Sequence, residues 1–155
     1  MALEMSIEFT KKLDLAIDYD TAFAFFTDVP ATAAIFPKVD RLVDLGGGKY
    51  QWEMQKVGVA KYTIQVVYAC SYANDKEKGI ITWTPVEGAG NARNQGQARI
   101  VKTAGGVIVD FSTKLDLSFS FIPSLAKALV KPLIVREFNG TADKFEENVH
   151  AKFAC

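Results

Sequence analysis

The stretch PSLAKALVKPLIVREFNGTADKFEENVHAKFAC, residues 123–155, decides the fold. Phe138, Ala142, Phe145, Val149 and Phe153 recur at spacings of four and three, which places them on one helical face. Asp143, Lys144, Glu146, Glu147 and Lys152 occupy the rest of the circumference. Toward the N-terminal end, Leu125, Ala128, Leu129, Val130, Leu133, Ile134 and Val135 point in nearly every direction, with only Lys127 and Lys131 charged, so this half is expected to be covered on more than one side. Ser124 is the expected N-cap. Pro132 lacks an N–H and clashes with the carbonyl four residues back, which predicts a bend near Ala128 to Pro132 or a second helix starting there.

A helix with one dry face needs a partner, and the preceding chain supplies strands. From Ile7 to Ile17 the odd positions Ile7, Phe9, Leu13, Leu15 and Ile17 alternate with Glu8, Thr10, Lys12 and Asp14, the period of a half-buried strand. Asp20 or Thr21 is expected to cap a short helix through Ala22 to Phe26, and Pro30 to Phe36 reads as a second. Val39–Leu45 and Lys49–Lys56 flank the turn Gly46-Gly47-Gly48. Tyr62, Ile64, Val66, Tyr68, Cys70 and Tyr72 then share one face of a long predicted strand. Ile80 to Thr84 follows, a Gly-rich loop runs from Gly88 to Gly96, and a strand ends near Lys102. Val107, Val109, Phe111, Thr113, Leu115, Leu117, Phe119 and Phe121 alternate against polar neighbours in the clearest strand of all.

At 155 residues the chain suits one domain. Its 18 basic and 18 acidic side chains balance, so there is no overall field for nucleic acid or an anionic membrane. Cys70 and Cys155 make neither a zinc spacing nor a disulfide framework, and a reducing cytoplasm is the expected compartment. No signal peptide is expected from the N-terminal residues, and no stretch reaches the ~18 apolar residues of a membrane span.

The order of strand, two short helices, about six hairpin-linked strands and a terminal helix argues for an antiparallel sheet that covers its dry face with that helix. Strand twist curls such a sheet. This element order, with Asp20 to Phe36 as helix-loop-helix and Pro123-Ser124 leading into the last helix, resembles the helix-grip fold of the START, Bet v 1, polyketide cyclase and coenzyme Q-binding superfamily (SRPBCC). The expectation is an α+β, helix-grip domain spanning 1–155: a curved antiparallel sheet of about seven strands wrapped around a long C-terminal helix. The resemblance implies a cavity between sheet and helix that takes lipids, sterols, quinones, polyketides or other apolar ligands.

The candidate wall is Trp52, Tyr62, Ile64, Tyr68, Trp83, Phe111, Thr113, Val130, Ile134 and Phe138, with Phe25, Phe36, Leu129 and Leu133 as a gate. Aromatic residues on the dry parity serve equally as ordinary core, so a cavity exists only where they leave space. Polar residues on that parity are few: Lys11 and Thr113, with Lys56 and Lys102 placed to snorkel at strand ends. Thr113 stands out because an unpaired hydroxyl mid-strand costs about 1–3 kcal/mol. Arg136 and Glu137 near the helix midpoint reach solvent or a ligand headgroup. His150 reads as a surface residue, Cys70 as an inert buried thiol, and Gly88-Ala89-Gly90 lacks the following helix that a phosphate loop needs.

The reading is therefore binding or transport of a hydrophobic small molecule, with no catalytic residue, no metal and no cofactor. The alternatives are a cyclase or aromatase using the same pocket, or a protein-binding assembly module in which Leu129 and Leu133 form an exposed patch. The expected partner is an apolar small molecule, with no nucleic acid, no transmembrane segment and at most transient membrane contact. No oligomeric state follows from the sequence.

Overall fold

A computed structural model describes residues 2–153; Cys155 lies outside them. The chain runs through β1 (Ala2–Leu15), α1 (Tyr19–Thr27), α2 (Val29–Ile35), β2 (Val39–Gly46), β3 (Lys49–Met54), β4 (Val57–Val59), β5 (Tyr62–Ile64), β6 (Val67–Asp75), β7 (Ile80–Pro85), β8 (Ala92–Thr103), β9 (Gly106–Pro123), a 3-10 turn at Ser124–Ala126 and α3 (Lys127–Phe153). Seven strands form one antiparallel sheet in the order β1-β9-β8-β7-β6-β3-β2, and β4 pairs with β5 as a separate hairpin. This is the helix-grip architecture expected from the element order, with two short helices after the first strand and α3 laid across the sheet.

Local chemistry explains the boundaries. Asp18, rather than Asp20 or Thr21, caps α1 by accepting a hydrogen bond from the Thr21 amide at 2.6 Å. Asp28 does the same for α2, accepting from the Ala31 amide at 3.1 Å, with Pro30 in the first turn. Gly46, Gly47 and Gly48 all take positive φ at the β2–β3 turn, a conformation that other residues resist. Ser124 is not a side-chain cap; it begins the 3-10 turn. α3 starts three residues later and passes through Pro132 as one helix instead of restarting there.

Three strand expectations change. The long strand predicted through Tyr62 to Tyr72 is two: β5 pairs with β4, while β6 pairs with β3 and β7. The loop predicted from Gly88 to Gly96 ends early, because β8 begins at Ala92 and Gly96 sits within the ladder between Trp83 and Thr113. Glycine is needed there: a Cβ would strike the Ser112 carbonyl and lie 2.9 Å from the Trp83 ring. Finally, Phe121 is not on the dry face. The β1–β9 register jumps between Ala2↔Pro123 and Leu3↔Phe119, and across that irregularity Ile122 becomes fully buried while Phe121 is 55% exposed.

The interior falls into two apolar clusters. One gathers Leu3, Met5, Leu117, Phe119, Ile122, Val130 and Ile134 with the β3–β6 side of the sheet; the other gathers Leu13, Leu15, Val107, Val109, Ile100, Phe25, Phe26, Phe145 and Val149. α3 contributes Val130, Ile134, Thr141, Ala142, Phe145 and Val149 as buried residues. Its first turns are not covered all round. Leu125 is 95% exposed and Leu129 64%, because nothing packs over that side of the helix while Val130 and Ile134 take the inward direction.

Candidate ligand cavity

Between the concave sheet and α3 lies a cavity of about 150 Å³. Its floor comes from alternate residues of neighbouring strands, which strand periodicity turns to one face: Phe9, Lys11 and Leu13 on β1, Phe111, Thr113 and Leu115 on β9, and Asn94 and Ala98 on β8. Trp83, Tyr68, Tyr72 and Trp52 continue the wall across β7, β6 and β3. Phe138, Thr141, Ala142, Phe145 and Glu146 roof it from α3, and Phe26, Val29, Thr32 and Phe36 close one side from α1, α2 and the residue that follows.

Of the wall residues read from sequence, Trp52, Tyr68, Trp83, Phe111, Thr113 and Phe138 come together here. Ile64, Val130 and Ile134 do not reach the cavity. All three are buried in the solid part of the core beside Leu3 and Ile122, where branched side chains fill the space under the first turns of α3. Tyr62 lies on the separate β4–β5 hairpin, with its ring 6.3 Å from that of Phe121. Among the gate residues, only Phe36 reaches the wall, 5.6 Å from the Trp52 ring and 4.8 Å from Phe145. Phe25 is instead packed edge-on between Phe26 and Phe153, and Leu129 and Leu133 face outward.

Asn94, Ala98, Ala142, Phe145 and Glu146 line the wall in addition to the residues expected from sequence. Ala142 and Phe145 carried a signal, since they share the apolar helix face with Phe138. Asn94 falls in the stretch whose glycines predict a loop, where no alternation reveals its parity.

Polar groups on the wall are paired. Trp83 Nε1 donates to Thr113 Oγ1 at 3.3 Å, and Thr113 Oγ1 donates to Asn94 Oδ1 at 2.6 Å. Trp52 Nε1 donates to the Tyr72 hydroxyl at 2.9 Å; Tyr72 hydrogen-bonds with the Cys70 thiol, which donates to the Asn94 carbonyl at 3.3 Å. Burial pushes the Cys70 thiol up to about 12 and pushes the Tyr68 and Tyr72 hydroxyls above their ordinary range, so all three stay protonated at neutral pH.

Charge enters at the mouth. Lys11 pairs with Asp143 and, at 3.1 Å, with Glu146, linking β1 to α3. Lys11 is an ion-paired rim charge: its side chain is 28% exposed, and its hydrogen bonds to Asp143 and Glu146 raise its pKa against the opposing cost of burial. Lys102 does snorkel, lying 5.2 Å over the Tyr19 ring at the surface. Among the described residues no cluster of His, Cys, Asp and Glu could hold a metal ion, and no helix is long and apolar enough to cross a membrane.

No family model matches the chain, and no curated protein matches it in sequence. Solved structures do match in shape. The Zhui aromatase/cyclase of Streptomyces sp. R1128 superposes with a TM-score of 0.56 at 18% identity, covering 95% of this chain and 94% of that one. A STAR-related lipid transfer protein from Xanthomonas axonopodis gives 0.54 at 19% identity over 92% of this chain and 85% of that fragment. Major latex-like protein 151 of Panax ginseng gives 0.57 at 13% identity over 96% and 98%. The fold is therefore the helix grip that this chain shares with these three structures. At such identities the likeness is one of fold.

Proposed function

We propose that this protein binds a hydrophobic small molecule in the cavity between sheet and α3. The observation that carries the reading is the void itself, walled by Trp52, Tyr68, Trp83, Phe111, Phe138 and Phe145 and about 150 Å³ in volume. Apolar cavities of roughly that size stay dry and take up benzene-sized guests. Drug-sized ligands ask for roughly 300 Å³ or more, so the conformation described here suits one ring with short substituents, and a sterol or long acyl chain requires α3 or α2 to move outward. Phe36, between Trp52 and Phe145, is the gate residue positioned to swing with α2.

Binding without chemistry is the better-supported role. Proton transfer needs a group poised to exchange a proton near working pH. Here Lys11 is held protonated by two carboxylates, while Tyr68, Tyr72 and Cys70 are held neutral by burial. A cyclase-like activity is the second reading, favoured by the presence of Lys11 and Glu146 on the wall. The likeness to an aromatase/cyclase and to a lipid transfer protein supports an apolar guest in either case.

The test is to purify the protein, extract it under denaturing conditions and identify released compounds by mass spectrometry, then titrate the emptied protein with single-ring and fused-ring aromatics and with fatty acids. Stoichiometric uptake of at least one aromatic probe is expected. A protein that carries nothing and takes up none of them has no such function; one that also converts a bound aromatic polyketone is the enzyme.

A further inference from the structure

Six large apolar side chains are exposed among the described residues, and four of them, Phe121, Leu125, Leu129 and Leu133, fall at one end of the molecule. Leu125 stands out from the 3-10 turn, and a four-residue spacing carries Leu129 and Leu133 along one outward side of α3. Phe121, just before the turn, lies against Tyr62 on the β4–β5 hairpin, and Lys61 Nζ sits 5.6 Å over the Tyr62 ring. Lys127 and Lys131 border the same surface depression as Leu125, Ala128 and Pro132. Basic charge is therefore interleaved with exposed apolar surface. The two segments that carry this surface hold no acidic residue: positions 54–74 bring Lys56 and Lys61, and positions 117–136 bring Lys127, Lys131 and Arg136. Among the described residues none of these five cations takes part in an ion pair, while Glu53 and Glu137, at the segment ends, already pair with Arg41 and Lys38. β1 brings one acid toward this end, Glu4, opposite Ser118 in the β1–β9 ladder.

A contiguous run of exposed apolar side chains marks a contact surface. A two-fold contact between copies of this chain would bring the basic patch against itself, which like-charge repulsion opposes. A bilayer containing anionic lipids has the matching chemistry, with hydrocarbon for the leucines and negative headgroups for the lysines. We propose that the 3-10 turn and the first turns of α3, with Phe121 and the β4–β5 hairpin beside them, dock on an anionic lipid surface. Leu125 and Leu129 enter the boundary between headgroups and acyl chains, and Lys127 and Lys131 meet the lipid phosphates. The zero net charge of the chain does not oppose this, because at physiological salt only charges within about 8 Å of the headgroups feel their field. The surface also stands apart from the cavity. It lies over the solid end of the space under α3, where Val130 and Ile134 turn inward and Leu129 and Leu133 outward, so either claim can fail without the other.

Co-sedimentation with phosphatidylcholine vesicles containing about 30% phosphatidylglycerol, and with phosphatidylcholine alone, tests this in about 0.05 M and about 0.5 M salt. The wild type is expected to bind the anionic vesicles at low salt at least about tenfold more tightly than the neutral ones, and to lose that preference at high salt. Lys127→Gln combined with Lys131→Gln should weaken binding at least about tenfold, since each lysine near such a surface is worth about fivefold. Leu125→Ser combined with Leu129→Ser should weaken it by at least about as much. Lys76→Gln combined with Lys78→Gln, an equal charge change in the turn between β6 and β7, should leave binding within about twofold. The proposal is overturned by a wild type that ignores anionic vesicles, by an equal loss from the two lysine pairs, or by leucine replacements without effect. It is also overturned if the wild type sediments as a dimer that the leucine replacements split, because a second copy then covers this face. Should a variant not fold, hydrogen exchange of the wild type decides. Protection by anionic vesicles over positions 56–62 and 121–133 supports the proposal, and protection elsewhere or nowhere overturns it.

Discussion

The two ends of the space under α3 are built from the same kinds of strand and differ in how completely they are filled. Beneath the first turns, Val130 and Ile134 are fully buried against a cluster containing Leu3, Met5, Leu117, Phe119 and Ile122. About two helical turns further on, Ala142 and Phe145 look into a void. Side-chain size at facing positions accounts for the difference. At the solid end, large or branched residues meet from both layers; at the open end, Ala98 and Ala142 leave room that the surrounding rings border without entering. Native interiors are otherwise close-packed, so a gap bordered by small residues on two facing layers points to a use.

Substitutions that tell the two ends apart would sharpen this contrast. The largest effect belongs to Ile134→Ala, which opens a cavity where there is none: a loss of about 2–5 kcal/mol in denaturant unfolding is expected, with probe affinity unchanged. A loss of affinity matching the loss of stability would mean the two ends are one site. Gly96→Ala should cost roughly 1–3 kcal/mol, because the new methyl group meets the Ser112 carbonyl and pushes the Trp83 ring from its place over the strand. It should also weaken uptake, since Trp83 holds Thr113 in position; unaltered Trp fluorescence and uptake would contradict this account of Gly96.

The mouth of the open end should respond to alkaline pH. Lys11 has a pKa raised above 10.5 in the folded protein, so its contribution to stability is present in full below that value and is lost as pH rises through the higher folded pKa. The difference in unfolding midpoint between wild type and Lys11→Met should therefore narrow above about pH 10.5; a constant difference would show that the ion pairs with Asp143 and Glu146 contribute nothing. The smallest effect is expected outside the solid end. Leu129 is 64% exposed, and Leu129→Ser should change stability by no more than about 0.5 kcal/mol. A larger loss would show that the outward leucines are covered in solution by another surface.

Comparing expectation with structure separates two kinds of information. Alternation in β1 and β9, the Gly46-Gly47-Gly48 turn and the spacing of Phe138, Ala142, Phe145 and Val149 are local patterns, and each produced the element it predicted. Parity failed where the ladder is irregular. Counting in twos places Phe121 inward, and the register jump near the end of β9 turns it outward. The leucines at the 3-10 turn and the start of α3 depart from expectation for a related reason. A helix apolar on all sides signals burial only if there is protein on all sides, and Leu125 and Leu129 have none.

The sequence by itself determined the strand and helix periods, their order and hence the grip of a curved sheet on its last helix, since those rest on residues close together in the chain. Only the tertiary structure decided which inward residues touch each other and which face a gap. Tyr68 and Ile134 both read as interior from sequence. One borders a void beside Asn94 and the other is packed solid, because the residues opposite each of them come from strands dozens of positions away, at a register that no local pattern encodes.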